Sequence, residues 1–336
     1  MDNDNKTYFR HHYWEMPIVI YLFLGGLAGG IFFLSWIMST FVFPGVDLTQ
    51  VLIGPLFVAL LCTGLGLIML VVDLGQPPLF YRAYVTATSI IKWGAVLLTI
   101  AAFGSLFWIL GNWSPESPFL GFLSVFNFFG AASDVWLAAA GIAGLGIMIY
   151  TGVMLSTLKA HSFWATPALP VLFTTSALST ACAAITLSVG IWPAATLTTA
   201  ELVAKQEIGH LLHTVDIILV IAELIILLTM ILSFLGAGNR TAKRVALRWV
   251  KGSYALPFWG GMICLGLLLP LACYISGHPI AGTFAAVCVL IGGLILRGLC
   301  VFSDDRQPLP GENRYYKRME TEDTRMWDNP QWEIGA

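Results

Sequence analysis

Pro17 to Gly30, PIVIYLFLGGLAGG, is the stretch that decides the class of this chain. It opens an apolar run long enough to cross a bilayer, which takes about 20 residues of helix. Immediately before it stands Tyr8-Phe9-Arg10-His11-His12-Tyr13-Trp14-Glu15. Trp and Tyr rings favour the membrane–water boundary, where an apolar face and a polar tip are both satisfied. His11, His12 and Glu15 are therefore expected at the lip of the membrane, where titratable groups can meet a lipid-soluble ligand. Within the run, Gly25/Gly29 and Gly26/Gly30 make two overlapping GxxxG pairs. Such pairs let other helices approach backbone to backbone, so the run reads first as a packing element.

Outward from this run, the rest of the chain has the same character. Of 336 residues, 57% are hydrophobic and only 11% charged, against about 25% charged in soluble domains. Eight apolar spans follow one another, at about 17–42, 51–72, 90–110, 137–157, 168–190, 211–235, 254–275 and 281–301. The expected fold is all-α and polytopic, eight transmembrane helices arranged as two four-helix bundles. The first run starts too late and extends too far for a cleaved signal peptide. The six cysteines all lie in apolar spans, with no CxxC and no Cys–His cluster, so neither a metal site nor a disulfide framework is expected. The lipid bilayer is the expected medium, with no nucleic-acid partner.

Sidedness comes from where the charge falls. An even number of spans puts both termini on one face, side A, with loops 73–89, 158–167 and 236–253. Side B carries 43–50, 111–136, 191–210 and the turn Gly277-His278-Pro279. Of the 17 Lys and Arg residues only Lys205 falls on side B. The positive-inside rule makes side A cytoplasmic, in a bacterial or archaeal cytoplasmic membrane. The same basic face suits the docking of a soluble subunit. The division expected is a membrane domain over 1–302 and a polar tail over 303–336. That tail cannot bury a core of its own, yet its Tyr315, Tyr316, Trp327 and Trp332 suit folding over a partner.

Span six carries the most chemistry. His213, Asp216 and Glu223 share one helix face and climb from side B roughly 15 Å into the membrane at about 1.5 Å per residue. A carboxylate near mid-membrane costs at least about 2.5–3.5 kcal/mol unless it faces protein or water, and usually marks a proton or ion path. The plain alternative is a protonated Glu223 that ties two helices together. Asp73 closes span two just before Leu74-Gly75-Gln76-Pro77-Pro78, where it serves equally as a cap or as a functional acid paired with Arg82 or Lys92. Tyr150, two turns inside side A on span four, needs a hydrogen-bond partner, either structural or a quinone carbonyl. No two histidines sit in different spans at matched depth, the arrangement a di-haem cytochrome b requires, so a haem-free chain is expected.

With these residues in place, the chain resembles the polysulfide reductase membrane-subunit family, the NrfD/PsrC group. The resemblance rests on WEMPIVIYLFLGGLAGG from Trp14 to Gly30, on Asp73-Leu74-Gly75-Gln76-Pro77, and on Tyr150-Thr151-Gly152, and it covers roughly residues 10–302. It implies a haem-free anchor that binds menaquinone or ubiquinone near the face where a ferredoxin-like iron–sulfur subunit docks. That subunit in turn serves a catalytic subunit, often a molybdopterin enzyme. The family's quinone-contacting histidine and tyrosine fall here on His11 or His12 and on Tyr150, with Asp73 as a local proton partner. The resemblance also implies partner subunits outside the cell, opposite to the charge reading.

The function expected is therefore that of a quinone/quinol-reacting membrane subunit of a respiratory oxidoreductase, with His213, Asp216 and Glu223 as its proton path. The competing classes are a cytochrome-b-like haem anchor and a secondary transporter. A transporter would show broken helices in matching positions of two halves, to which Gly260-Gly261 and Pro270 contribute weakly.

Overall fold

A computed structural model describes residues 14–73, 81–85, 90–113, 121–191, 199–236, 240–276 and 279–305. Helix α1 (Met16–Ile37) begins with Pro in its first turn, where the missing N–H costs no hydrogen bond, and it ends in a π-helical turn, Met38–Val42. There follow α2 (Thr49–Asp73), a short α3 (Arg82–Val85), α4 (Ile90–Gly111), a 3-10 segment (Gly121–Ala132) and α5 (Ser133–Ser156). The second half contains α6 (Ala168–Ile191), α7 (Thr199–Gly236), α8 (Arg240–Lys251), a π-helical stretch (Leu256–Leu268) continued by α9 (Leu269–Ser276), and α10 (Pro279–Val301). Among the described residues eight helical segments are long and apolar enough to cross a membrane, and there is no strand. The protein is a multi-pass, all-helical membrane protein.

The packing follows the small residues. In the first half α1 packs on α2 and α5, and α4 on α5; in the second, α6 packs on α7 and α10, and α10 on the π-helical span. Contacts of α1 with α6 and α10, and of α5 with α6, join the halves. The central position of α1 comes from its glycines. A Cβ on Gly29 would stand 2.7 Å from the Gly144 carbonyl oxygen of α5, and one on Gly30 2.7 Å from the Ala177 carbonyl oxygen of α6. The two overlapping GxxxG pairs thus serve two different neighbours, one in each half. Large apolar side chains not covered by protein, such as Leu61, Leu65 and Ile68 on α2 and Ile218, Ile225 and Leu232 on α7, face lipid.

Two expectations are corrected in detail. The basic segment 236–253 is not a loop, because Arg240–Lys251 is helical. Its residues Ala242, Val245, Ala246 and Trp249 are buried, while Lys243, Arg244 and Lys251 are exposed. That spacing is an apolar stripe of helical period, so α8 lies along side A with a basic outer face. Nor does packing on the membrane domain stop at 302. Ser303 and Asp305 are buried; Trp249 Nε1 donates to Ser303 Oγ at 2.7 Å, and Arg248 forms a two-pronged pair with Asp305 at 2.7 and 3.3 Å. Arg248 is therefore an internal anchor rather than part of a docking face. Residues 306–336, where contact with a partner was expected, lie outside the described residues.

Candidate functional site

Two polar clusters lie within the membrane domain, one in each half. The first surrounds Tyr150. This side chain is buried about 9 Å inside the side A end of α5, at about 1.5 Å per residue. Its hydroxyl donates to Met154 Sδ at 3.2 Å, and Tyr21 of α1 is within hydrogen-bonding reach. A thioether is a weak acceptor, so this buried donor is poorly matched and a carbonyl oxygen would serve it better. Gly94 on α4 makes the room, since a Cβ there would stand 2.7 Å from the hydroxyl and nearer still to the ring. Tyr21 was missed in the sequence because nothing within α1 says which of its faces meets α5.

Asp73 is the last residue of α2 and half-buried. It lies close enough to Glu15, at the start of α1, for the two charges to interact. The expected pairing with Arg82 is not described, because the Arg82 side chain lies outside the described residues. His11 and His12 also lie outside them. Trp14, next along the chain, stacks on Trp164 at 5.3 Å, which in turn packs against His161 at 4.3 Å. His161 Nδ1 donates to the Asp304 carbonyl at 2.8 Å, so that histidine holds the end of the fold on side A.

The second cluster is built on α7. Asp216 and Glu223 are both buried, with Val220 between them on the same face, and His213 is half-buried one turn outward. The residues singled out on this helix therefore do share a face. Asp216 receives two hydroxyl protons: Ser179 Oγ donates to Oδ1 at 2.5 Å and Tyr274 Oη to Oδ2 at 2.5 Å. The donors come from α6 and α9, so three helices meet at one carboxylate. With both oxygens accepting, the geometry suits the ionised acid. A proton arriving on Asp216 must displace one donor. Ser179 can turn away to its own helix backbone, as helical serines commonly do.

Outward from Asp216 the path is open. A cavity of about 590 Å³ at the side B end is lined by Lys205, Gln206, His210, His213, Asp216 and Tyr274, among others. The His213 ring meets that of Tyr274 edge-on at 4.2 Å, and His213 Nε2 is buried with no hydrogen-bond partner among the described residues. Inward from Asp216, Glu223 lies two turns on, roughly 10 Å along the helix. Ser176 and Thr180 of α6 border the same narrow gap as Glu223, opposite Met262, Gly266 and Leu267 of the π-helical span. A π-helical stretch widens the backbone and is often found at functional sites. Here it lines the narrow gap beside Glu223.

Among the described residues no group of three or more His, Cys, Asp and Glu side chains is gathered as a metal would require. What the arrangement supplies is a buried hydrogen-bond donor near side A and a chain of titratable and hydroxyl groups leading inward from side B. Such a fold is that of a multi-pass membrane protein with polar groups buried among its helices. Residues 5–303 match the family model described as Polysulphide reductase, NrfD, and the chain belongs to that family. It is 27% identical over 271 residues to a chain of the polysulfide reductase of Wolinella succinogenes, covering 77% of this chain and 81% of the relative. It is 25% identical over 332 residues to protein NrfD of Escherichia coli K12, covering 90% and 98%. To a subunit of the selenate reductase of Mesobacillus selenatarsenatis it is 25% identical over 324 residues, covering 86% and 73%.

Proposed function

We propose that this chain is the quinone-reacting membrane anchor of a respiratory oxidoreductase. In this reading it exchanges electrons with an iron–sulfur subunit docked on side A, and through that subunit with a molybdopterin-type catalytic subunit. The subunit role is supported by the family and by relatives named as parts of polysulfide and selenate reductases. The observation in this chain that carries the quinone reading is the Tyr150 hydroxyl, buried near side A and spent on a thioether. A menaquinone or ubiquinone ring would supply two-electron, two-proton redox chemistry. Tyr150 would hold one of its carbonyl oxygens, His11 or His12 the other, and Asp73 would pass protons at the membrane lip.

The second cluster has a separate task in this proposal. His213, Asp216 and Glu223 carry protons between side B and the membrane interior, each group handing on to a hydroxyl or carboxyl within the next helical turn or two. Side A, with the exposed Lys243, Arg244 and Lys251 of α8, is the docking face, and the charge bias makes it cytoplasmic.

Tyr150→Phe tests the quinone reading. It removes one hydroxyl and leaves the ring in place. A hydrogen bond whose loss leaves a buried partner unpaired is commonly worth about 1–3 kcal/mol, so quinone turnover should fall roughly tenfold or more in a complex that still assembles. Wild-type quinone binding and turnover in this variant would return Tyr150 to a structural role.

A further inference from the structure

One buried basic side chain stands beside the proton path rather than in it. Arg297 is fully buried on α10. It stands one turn from the side A end of that helix, where a long basic side chain ordinarily snorkels out to the headgroups. Arg297 does the reverse. Helix α10 begins on side B, and Cα–Cβ bonds tilt toward a helix N-terminus, so the side chain leaves the backbone already aimed into the membrane. Its Nη1 donates to the Gly293 carbonyl, one turn deeper, at 3.0 Å and to Ser176 Oγ at 2.7 Å. Phe23 of α1 and Phe173 of α6 flank it at 5.8 and 5.5 Å. Among the described residues its Nε and Nη2 find no hydrogen-bond partner.

A cation so placed costs several kcal/mol unless an anion answers it. The acid facing it is Glu223, also buried. Ser176 stands between them. Its oxygen accepts from Arg297 Nη1, which leaves its own proton free to turn toward Glu223 across the gap they both line. The remaining ionisable neighbours are Asp216, further out on α7, and Cys300 on α10. The gap beside Glu223 is otherwise lined by Thr180, aliphatic side chains and glycine backbone.

We infer that Arg297 is the fixed counter-ion of Glu223, coupled to it through the Ser176 hydroxyl, and that it positions this acid as the inner terminus of the proton path. The inference rests on the relay proposed above. The guanidinium stabilises the carboxylate left after proton transfer, and its positive charge bars protons from continuing past Glu223 toward side A. Glu223 therefore exchanges protons through Asp216 and the side B cavity. Arg297 is a positioning residue, acting through Glu223.

The test uses the assembled complex in proteoliposomes, with Arg297→Lys, Arg297→Met, Glu223→Gln and the double variant Glu223→Gln/Arg297→Met. Yield of assembled complex and quinone-linked turnover across pH are both read. Arg297→Met leaves Glu223 without its countercharge. It should lower turnover roughly tenfold or more and displace the pH profile, while Arg297→Lys, which keeps the charge but not the fork, should recover most of the rate. Added to Glu223→Gln, Arg297→Met should cost little further turnover. Should Arg297→Met assemble poorly, the double variant, which removes both buried charges, should restore the yield. Wild-type yield, rate and pH profile in Arg297→Met would overturn the inference. So would a loss in Arg297→Met that persists undiminished in the double variant. If Glu223→Gln alone leaves turnover unchanged, the relay fails, and the pairing is then decided by whether the double variant restores yield.

Discussion

Tyr274 donates its phenolic proton to Asp216 Oδ2 at 2.5 Å while Ser179 donates to Oδ1 at the same distance. One carboxylate thus draws α9 and α6 onto α7 at the inner end of the side B cavity. Burying a carboxylate is costly unless its lone pairs are satisfied, and here both oxygens are. The same two donors that make the charge tolerable also fix where a proton can enter.

Tyr274→Phe removes one donor and nothing else. The expected loss is about 1–3 kcal/mol of carboxylate stabilisation, read as a fall in turnover of roughly tenfold, with yield of the complex kept. Asp216→Asn should be more severe. Its amide nitrogen cannot accept from a hydroxyl, so one of the two donors loses its acceptor, and the group can no longer load a proton. Steady-state turnover of the assembled complex distinguishes the two variants. Equal, unaltered rates would leave Asp216 as a structural clasp.

Gly94 has its place through Tyr150. A methyl group at Gly94 would overlap the ring, and the neighbour is an aromatic side chain on a packed helix with little freedom to move. Gly94→Ala should therefore push the hydroxyl out of position and lower quinone turnover about as far as Tyr150→Phe, although residue 94 itself touches no substrate. The rates of the single variants and the double variant measure this directly. Full activity in Gly94→Ala would mean that the placement of Tyr150 is not critical.

Side A is the basic face, and α8 presents Lys243 outward. With side A cytoplasmic, a cysteine introduced at Lys243 should resist an impermeant thiol reagent in intact cells and react quickly after lysis. Rapid labelling of intact cells would reverse the orientation and place the docking face outside.

The sequence made the architecture largely legible, because span length and apolar continuity are set by the bilayer alone. Six of the eight runs read from the sequence correspond closely to the apolar spans of the structure; the fourth extends back to Val125 through the 3-10 segment, and the sixth belongs to a longer helix, α7, that overshoots on side B. The shared face of Asp216 and Glu223 was legible too, since it needs only helical periodicity. Their partners were not. Ser176, Ser179 and Tyr274 are unremarkable residues in apolar helices, and only the packing of α6, α9 and α10 around α7 selects them. Arg297 did carry a signal, a full charge inside span eight. Its place one turn from the helix end suits snorkelling out to side A equally well, and only its contacts with Ser176, Gly293, Phe23 and Phe173 place the guanidinium inside. The helix in 240–251 was also readable, from the spacing of Ala242, Val245, Ala246 and Trp249.

Glu223→Gln is the most direct test of a quinone-linked proton path through this half of the molecule. Gln keeps the size of Glu and can still hydrogen-bond to Ser176, but it cannot carry a proton. The measurement is quinone-linked turnover of the assembled complex in proteoliposomes from about pH 6 to about pH 9, beside quinone binding and subunit yield, with a catalytic proton-transfer contribution commonly about a hundredfold or more. Turnover should fall by at least about tenfold with binding and yield unchanged. Turnover equal to wild type at every pH would contradict the proton path and make Glu223 a tie between helices.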